Sequence, residues 1–335
     1  MSKFDQIGGR YGMHSGSARF RNLQVDDQLF IEGKAISMAN TGGKVYYVDR
    51  NHNGAGSSGD GSSWDQAFLT LGEAIAKVNA DYTAAGNSNS RGRMRYIFVA
   101  EGWYAEVPVI LTASDVTICG VAPGNHDSTC VYGVPVAGTF SGVAGGPTIT
   151  VTGSNNTIMN LGVYCSDPLY GAIRNGSNAS DGDAANPGAS APTGNAFINC
   201  SFVRDTADGE LCGIDDLGAD GTLIDGCFFS TSCKTHGIRS RTNGVVNPVN
   251  LVVRNCRFVG TPIGVEIQAG HNALIESNLF LDDTSDRADV VDYPIVITAT
   301  SGICYNNFSM LTKAAIVTGA GTITDVGNYG SDSST

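Results

Sequence analysis

Five short segments of this chain are one pattern written repeatedly: AFINCSF, TLIDGCFF, LVVRNCRF, ALIESNLF and GICYNNFS, with a weaker copy, TIMNLGV, ahead of them. Each reads apolar, apolar, any residue, small or polar, Cys or Asn, any residue, Phe. Aligned, they place Val163, Phe202, Phe229, Phe258, Phe280 and Phe308 in one column. Two positions earlier stand Leu161, Cys200, Cys227, Cys256, Asn278 and Asn306. Successive copies lie 22 to 39 residues apart. Self-similarity at such a period signals a solenoid or a propeller, in which one copy cannot bury its apolar face alone and neighbours must stack.

The unit has no helical periodicity. It alternates, with Phe197, Leu223, Val252 and Leu274 near the head and Phe at the tail, which is the two-residue period of a half-buried strand. A second strand recurs between copies, in GAIRN, CGIDD, HGIRS, IGVEIQ, YPIVIT and AAIVTG, around Ile173, Ile214, Ile238, Val265, Val296 and Ile316. Two or three short strands per turn with variable loops describe an all-β parallel β-helix. Equivalent side chains of successive coils then stack about 4.8 Å apart, and the Cys and Asn columns become internal ladders. A propeller blade needs four strands and roughly 40 residues, more than most of these spacings allow. Leucine-rich repeats would need Leu at fixed places, without the Asn-plus-Phe tail.

The chain has 335 residues, 44 of them Gly, with 16% charged residues and a net charge of −12. High Gly suits tight turns between short strands. An acidic chain lacks the basic footprint of a nucleic-acid binder, so nucleic acid is not expected as a partner. No run of about 20 apolar residues exists, so no membrane span is expected. The first twenty residues lack the apolar centre of a signal peptide, which gives the expectation of a protein made in a cytoplasm without a leader. Nine Cys, three of them in one repeat column, read as buried free thiols. No cofactor is expected.

Residues 1–44 carry no repeat. The alternation of Phe20, Leu23, Val25, Leu29, Ile31 and Ile36 predicts one or two strands in an N-terminal arm, with Phe20, Arg21, Leu23 and Phe30 as its candidate partner-binding residues. Residues 45–330 form the β-helix, with 331–335 a polar tail. Tyr46, Tyr47 and Val48 read as a strand. Thr70 followed by Glu73 is a capping box for a helix over about 70–79, whose Leu71, Ile75 and Val78 fall on one face. A solenoid must cover its open end, and this helix is the expected cap. RYIFVAEGWYAEVPVILTASDVTICGVAPG then supplies the first coils. Residues 174–195, rich in small residues, read as a loop insertion between coils.

A strand ending in Val-Asp, a Gly/Ser-rich loop, a Trp, a short Ala-Ile helix and the strands of VAEGWYAEVPVIL and VTICGVAPG resemble the start of right-handed β-helix proteins of the pectate-lyase-like superfamily. The resemblance covers about residues 45–125, and the Asn/Cys-x-Phe coils extend it to about 310. It implies the fold, and it leaves function open, because fold and function are separable.

The polygalacturonases of that superfamily use an Asp pair and a His-Gly followed by Arg-x-Lys. This chain offers Asp215 and Asp216 in GIDD and His236 in THGIRSR, without the downstream Arg-x-Lys. Two carboxylates are the right reagents to activate water and protonate a leaving oxygen, so the three residues are the catalytic candidates, against a reading as loop residues. Pectate lyases need clustered acids for calcium, and Asp282, Asp283, Asp286, Asp289 and Asp292 surround Arg287; a solvated insertion is the alternative. Asp49, Asn51, Asn53, Gly54 and Asp60 match the ligand spacing of a calcium loop, with Asp in place of the final Glu.

The resemblance and the incomplete acid/base set together point to a non-enzymatic virion protein, a capsid decoration protein of a tailed phage. Such a protein would sit on the virion surface as a homotrimer, against the major capsid protein or other virion proteins. The alternatives are a tailspike-like protein that binds or cuts polysaccharide, with a glycan as partner, and a stand-alone carbohydrate lyase or hydrolase.

Overall fold

The computed structural model describes residues 29–31, 34–36, 44–51, 59–86, 94–121, 138–142, 146–165, 169–178, 189–202, 211–230, 233–281, 293–298, 301–309, 317–319 and 322–330. The chain divides into two units, Met1–Gly42 and Gly43–Thr335. In the first, Leu29–Ile31 and Lys34–Ile36 form an antiparallel pair, which holds Phe30; Phe20, Arg21 and Leu23 lie outside the described residues.

The second unit is a right-handed parallel β-helix. Eight successive coils each give one strand to three parallel sheets, and a ninth gives two strands. The first coil is Arg95–Val99, Gly102–Glu106 and Val109–Leu111, and these strands belong to sheets 1, 2 and 3 in that order. Lys44–Val48 precedes it and extends sheet 1 to ten strands.

The chain turns from sheet 1 to sheet 2 at one residue per coil: Asn160, Asn199, Gly226, Asn255, Ser277, Asn306 and Gly327, all with φ between 51° and 66°. Entry into sheet 1 uses a second such column, Asp115, Asn155, Gly194, Gly221, Asn250 and Asn272, with φ between 55° and 69°. Gly, Asn and Asp reach this left-handed region at least cost and fill every place in the two columns but Ser277, so the small-or-polar position of the repeat is a backbone requirement.

Inside the coils, Phe202, Phe229, Phe258 and Phe280 stack with ring centroids 4.8 Å apart at each step. They are fully buried. Gly213, Gly237 and Gly264 make room for them: a Cβ there would lie 2.6, 2.6 and 2.3 Å from the rings of Phe229, Phe258 and Phe280. The recurrent Gly-Ile and Gly-Val dipeptides of sheet 3 follow from this packing. Where the Phe column ends, Pro294 occupies the place of the glycine.

The ladder column also holds, with one shift. Cys200, Cys227 and Cys256 are buried side by side, and Asn278 continues the line by accepting the Cys256 N–H at 2.9 Å. The next rungs are Asn307, which accepts the Asn278 N–H at 3.1 Å, and Asn328, which accepts the Asn307 N–H at 2.8 Å. Asn306 is therefore the turn residue, and the expected placement of Asn306 and Phe308 is one residue out of register. Ser309 pairs with Phe280, while Phe308 points outward and is 46% exposed.

Two further alignments correct in the same way, because a one-residue slip exchanges the two faces of a strand. Ile295 and Val317, not Val296 and Ile316, continue the inward column of sheet 3; Ile316 lies outside the described residues. In sheet 1 Phe197 lines up with Ile224, Val253 and Ile275 facing inward, whereas Leu223, Val252 and Leu274 face outward. The insertion expected over 174–195 is shorter: Ile173–Asn175 is a strand of sheet 3, and Asn195 belongs to the interior.

Helix α1 (Leu71–Ala84) runs five residues beyond the expected end and carries the capping box of Thr70 and Glu73. It buries Leu71, Ala74, Ile75 and Val78 and packs on the first strands of all three sheets, so it closes that end of the solenoid. Two groups seat it. The Glu106 carboxylate accepts the N–H groups of Leu71 at 2.7 Å and Gly72 at 3.2 Å, where a helix N-terminus favours negative charge. Asn79 donates to the Ile110 carbonyl at 2.7 Å and accepts from Thr112 and Ala113 at 3.0 Å.

Candidate functional site

The catalytic candidates fall on sheet 3, where Ile173–Asn175, Cys212–Leu217, His236–Arg241 and Ile263–Ile267 lie side by side. Adjacent residues of a strand face opposite ways. Asp215 stands in the outward row Arg174, Asp215, Arg239, Glu266, and Asp216 stands in the inward row Asn175, Asp216, Ser240, Ile267. The two carboxylates thus lie on opposite faces of the sheet and do not form a pair.

Asp215 is covered by arginines. Its two oxygens accept Nε and Nη2 of Arg239 at 3.0 Å each, and Nε and Nη2 of Arg241 at 3.1 and 2.8 Å. Arg174 Nε lies at 4.0 Å. Burial alone would raise its pKa; the hydrogen bonds and charges of Arg241 and Arg239 outweigh burial and hold the carboxyl below the usual carboxylate range. It stays ionised and fully engaged.

Asp216 is completely buried. It accepts from Asn175 Nδ2 at 2.8 Å, Thr222 Oγ1 at 3.0 Å and Ser240 Oγ at 3.2 Å. Burial pushes its pKa up to about 6, against the pull of these three donors. The network continues through Asn195, which donates to Asn175 Oδ1 at 2.8 Å, and to Asn156, whose N–H donates to Asn195 Oδ1 at 2.8 Å. A buried polar group of this kind is tolerable only when its partners are satisfied. The sequence reading missed this cluster; its trace is the Asn that precedes two head strands, at Asn156 and Asn195.

His236 does not meet either acid. Its Nε2 lies 2.7 Å from Glu266 Oε2 and its Nδ1 lies 2.7 Å from Thr235 Oγ1. Burial lowers its pKa, against the charge of Glu266 and with the help of Arg239. The charged row of sheet 3 is a seam: Asp215 with Arg239 and Arg241 ties the fourth coil to the fifth, and His236 with Glu266 ties the fifth to the sixth.

The proposed calcium loop is divided. Asn53 and Gly54, together with Asp282, Asp283, Asp286, Arg287, Asp289 and Asp292, lie outside the described residues. Asp49 accepts the Asn51 N–H at 2.8 Å, and Asp60 accepts the Ser62 N–H at 2.9 Å; these are ordinary Asx turns. A strand precedes the loop and a short 3₁₀ turn, Trp64–Gln66, follows it, in place of the two helices of that motif. Among the described residues no group of three or more His, Cys, Asp or Glu side chains could hold a metal ion. No described helix is long and apolar enough to cross a membrane.

One outward cluster was not anticipated. Tyr47 lies 4.7 Å from Trp64 and 6.0 Å from Phe98, and Phe98 stacks with Tyr96 at 6.1 Å, measured between ring centroids. Trp64 is 39% exposed. This aromatic run sits on the outer face of sheet 1 at its first strands.

No protein-family model matches the chain, and no curated protein matches it. Among solved structures it is similar to the pectin methylesterase from Aspergillus niger in deglycosylated form, at 14% identity and a TM-score of 0.44 over 87% of each chain. A pectin methylesterase from Erwinia chrysanthemi is similar at 12% identity and a TM-score of 0.43, over 87% of this chain and 90% of that one. A surface adhesin of Streptococcus pneumoniae is similar at 13% identity and a TM-score of 0.36, over 78% and 88%. Likeness at this level is one of general shape and assigns no residue or substrate to this chain.

Proposed function

We propose that this chain is a non-enzymatic structural protein of a virion, a capsid decoration protein of a tailed phage, whose β-helix stands as a rigid module on the particle. The observation that carries the non-catalytic part is the state of sheet 3. Asp215 is ionised and saturated by two guanidinium groups, Asp216 faces the interior, and His236 is held by Glu266. A general acid needs a pKa near the working pH and access to the substrate; Asp215 lacks the first and Asp216 the second. The virion assignment rests on the resemblance of residues 45–125 and the repeated coils. Cryo-electron microscopy of particles from the source tests it. Symmetric copies on a capsid lattice are the expected result, and a chain found on no particle overturns the reading.

A glycan-binding reading, as in a tailspike-like protein, draws on the aromatic run of Tyr47, Trp64, Phe98 and Tyr96. Aromatic rings set side by side, with Trp64 exposed and Tyr47, Tyr96 and Phe98 half-buried, suit stacking on sugar rings. Binding of host polysaccharide that is lost on Trp64→Ala with folding intact supports this second reading over the first.

A further inference from the structure

From the third coil onward, four described arginines meet a carboxylate: Arg174, Arg239 and Arg241 at Asp215, and Arg254 at Asp225. The fifth, Arg257, does not. Its Nε is buried without a hydrogen-bond partner, and no carboxylate among the described residues pairs with its guanidinium. The chain has 32 acidic residues against 20 Lys and Arg, so this isolation does not follow from a shortage of acids. A buried donor left unpaired costs stability, and departures of this kind concentrate where a ligand offsets them.

Arg257 stands in the outward row of sheet 2, since its neighbour Phe258 points inward. The row runs through Phe228, Arg257, Leu279, Phe308 and Tyr329, one residue per coil. Exposure rises along it. Phe228 is fully buried, Arg257 and Leu279 are half-buried, and Phe308 and Tyr329 are 46% and 64% exposed. On one side the Phe228 ring holds the guanidinium, with Cζ 5.8 Å from the ring centroid, a cation–π contact. On the other side the row continues as an apolar track over three coils, about 14 Å at 4.8 Å per coil. Leu281, half-buried in the adjoining outward row, widens it.

We propose that Arg257 anchors a binding site for an amphiphilic anion, a carboxylate or phosphate monoester carried on an alkyl or aryl body. Charge selects the head group: an anion on the half-exposed guanidinium supplies the countercharge that no described residue provides, and carboxylate and phosphate both match the planar fork. The track of Leu279, Phe308 and Tyr329 selects the body, because an apolar tail lying there takes apolar surface out of water. A fully polar anion gains only the first contact, and an uncharged apolar molecule only the second. The site lies on sheet 2, apart from the charged seam of sheet 3, and does not depend on the particle reading.

Isothermal titration calorimetry on the full-length chain tests the proposal with octanoate and octyl phosphate, each below its micelle concentration, beside acetate and octanol. One or both amphiphilic anions are expected to bind more tightly than acetate and octanol, and the tighter of the two identifies the head group. Arg257→Gln should weaken that binding about tenfold or more, with Arg257→Lys in between. Phe308→Ser, at an exposed position, should narrow the difference between octanoate and acetate, and it keeps the proposal open to test if Arg257→Gln fails to fold. No binding of either amphiphilic anion, binding that Arg257→Gln or Phe308→Ser leaves unchanged, or octanol bound as tightly as octanoate overturns the proposal.

Discussion

Phe258 lies between Phe229 and Phe280 at 4.8 Å on either side and is fully buried. Phe258→Ala removes a ring that both neighbours use, and is expected to cost about 3–5 kcal/mol in denaturant unfolding. A near-neutral result would contradict the stack. Gly237 tests the same packing from the other side: Gly237→Ala places a methyl group 2.6 Å from that ring and 2.8 Å from the Gly264 carbonyl, so a loss of about 1–3 kcal/mol from overpacking is expected. The His-Gly dipeptide that resembles a catalytic motif is thereby explained, since its Gly is there for Phe258. Asp216 gives a pH signature. Its folded pKa of about 6 stands above the ordinary 3.8, so the folded chain binds this proton more tightly than the unfolded one. Its contribution to stability is greatest below about pH 4, falls through the interval up to pH 6 and is flat above it, by about 3 kcal/mol at most. Asp216→Asn should remove that slope, because the amide fits the sites of Asn175, Thr222 and Ser240 without charge. Parallel pH profiles of wild type and variant would refute the assignment.

At the scale of elements, the cap and the coil turns show why some of the fold was legible from sequence. The Thr70 and Glu73 capping box is local chemistry, and it forms as expected; Thr70→Ala should cost about 1 kcal/mol and show first as faster hydrogen exchange in α1. The seat on Glu106 was not legible, because that residue is 34 to 35 positions away from the N–H groups it accepts and nothing in its own segment marks it. The repeat was legible wherever Cys or Phe marked the column. It slipped by one residue in GICYNNFS, where two consecutive Asn offered two alignments and only the backbone decides: Asn306 has φ 57°, and Asn307 is the ladder rung. The arrangement of the catalytic candidates was not legible for a related reason. Proximity in sequence suggested that Asp215 and Asp216 act together, and strand alternation separates them. Asp215 was also read without its partners on Arg239 and Arg241, which reach it only once adjacent coils stack.

At the largest scale, the second unit is a solenoid whose coils are tied inside by Phe, Cys and Asn columns and outside by the charged seam of sheet 3. Every described strand of the second unit pairs within that unit. A chain lacking residues 1–42 is therefore expected to unfold at the same denaturant midpoint as the full chain while losing association with particles; a lowered midpoint would show that the first unit supports the coils. The seam is the central claim, since the same residues would be an active site in the competing reading. The measurement that separates the two is thermal unfolding of Asp215→Asn beside wild type, with polysaccharide turnover followed on the same samples. Removing that charge leaves Arg239 and Arg241 packed together without their shared anion, so a loss of about 3–5 kcal/mol and no turnover by either protein are expected. An unchanged unfolding midpoint, together with turnover by wild type that Asp215→Asn abolishes, would contradict the account.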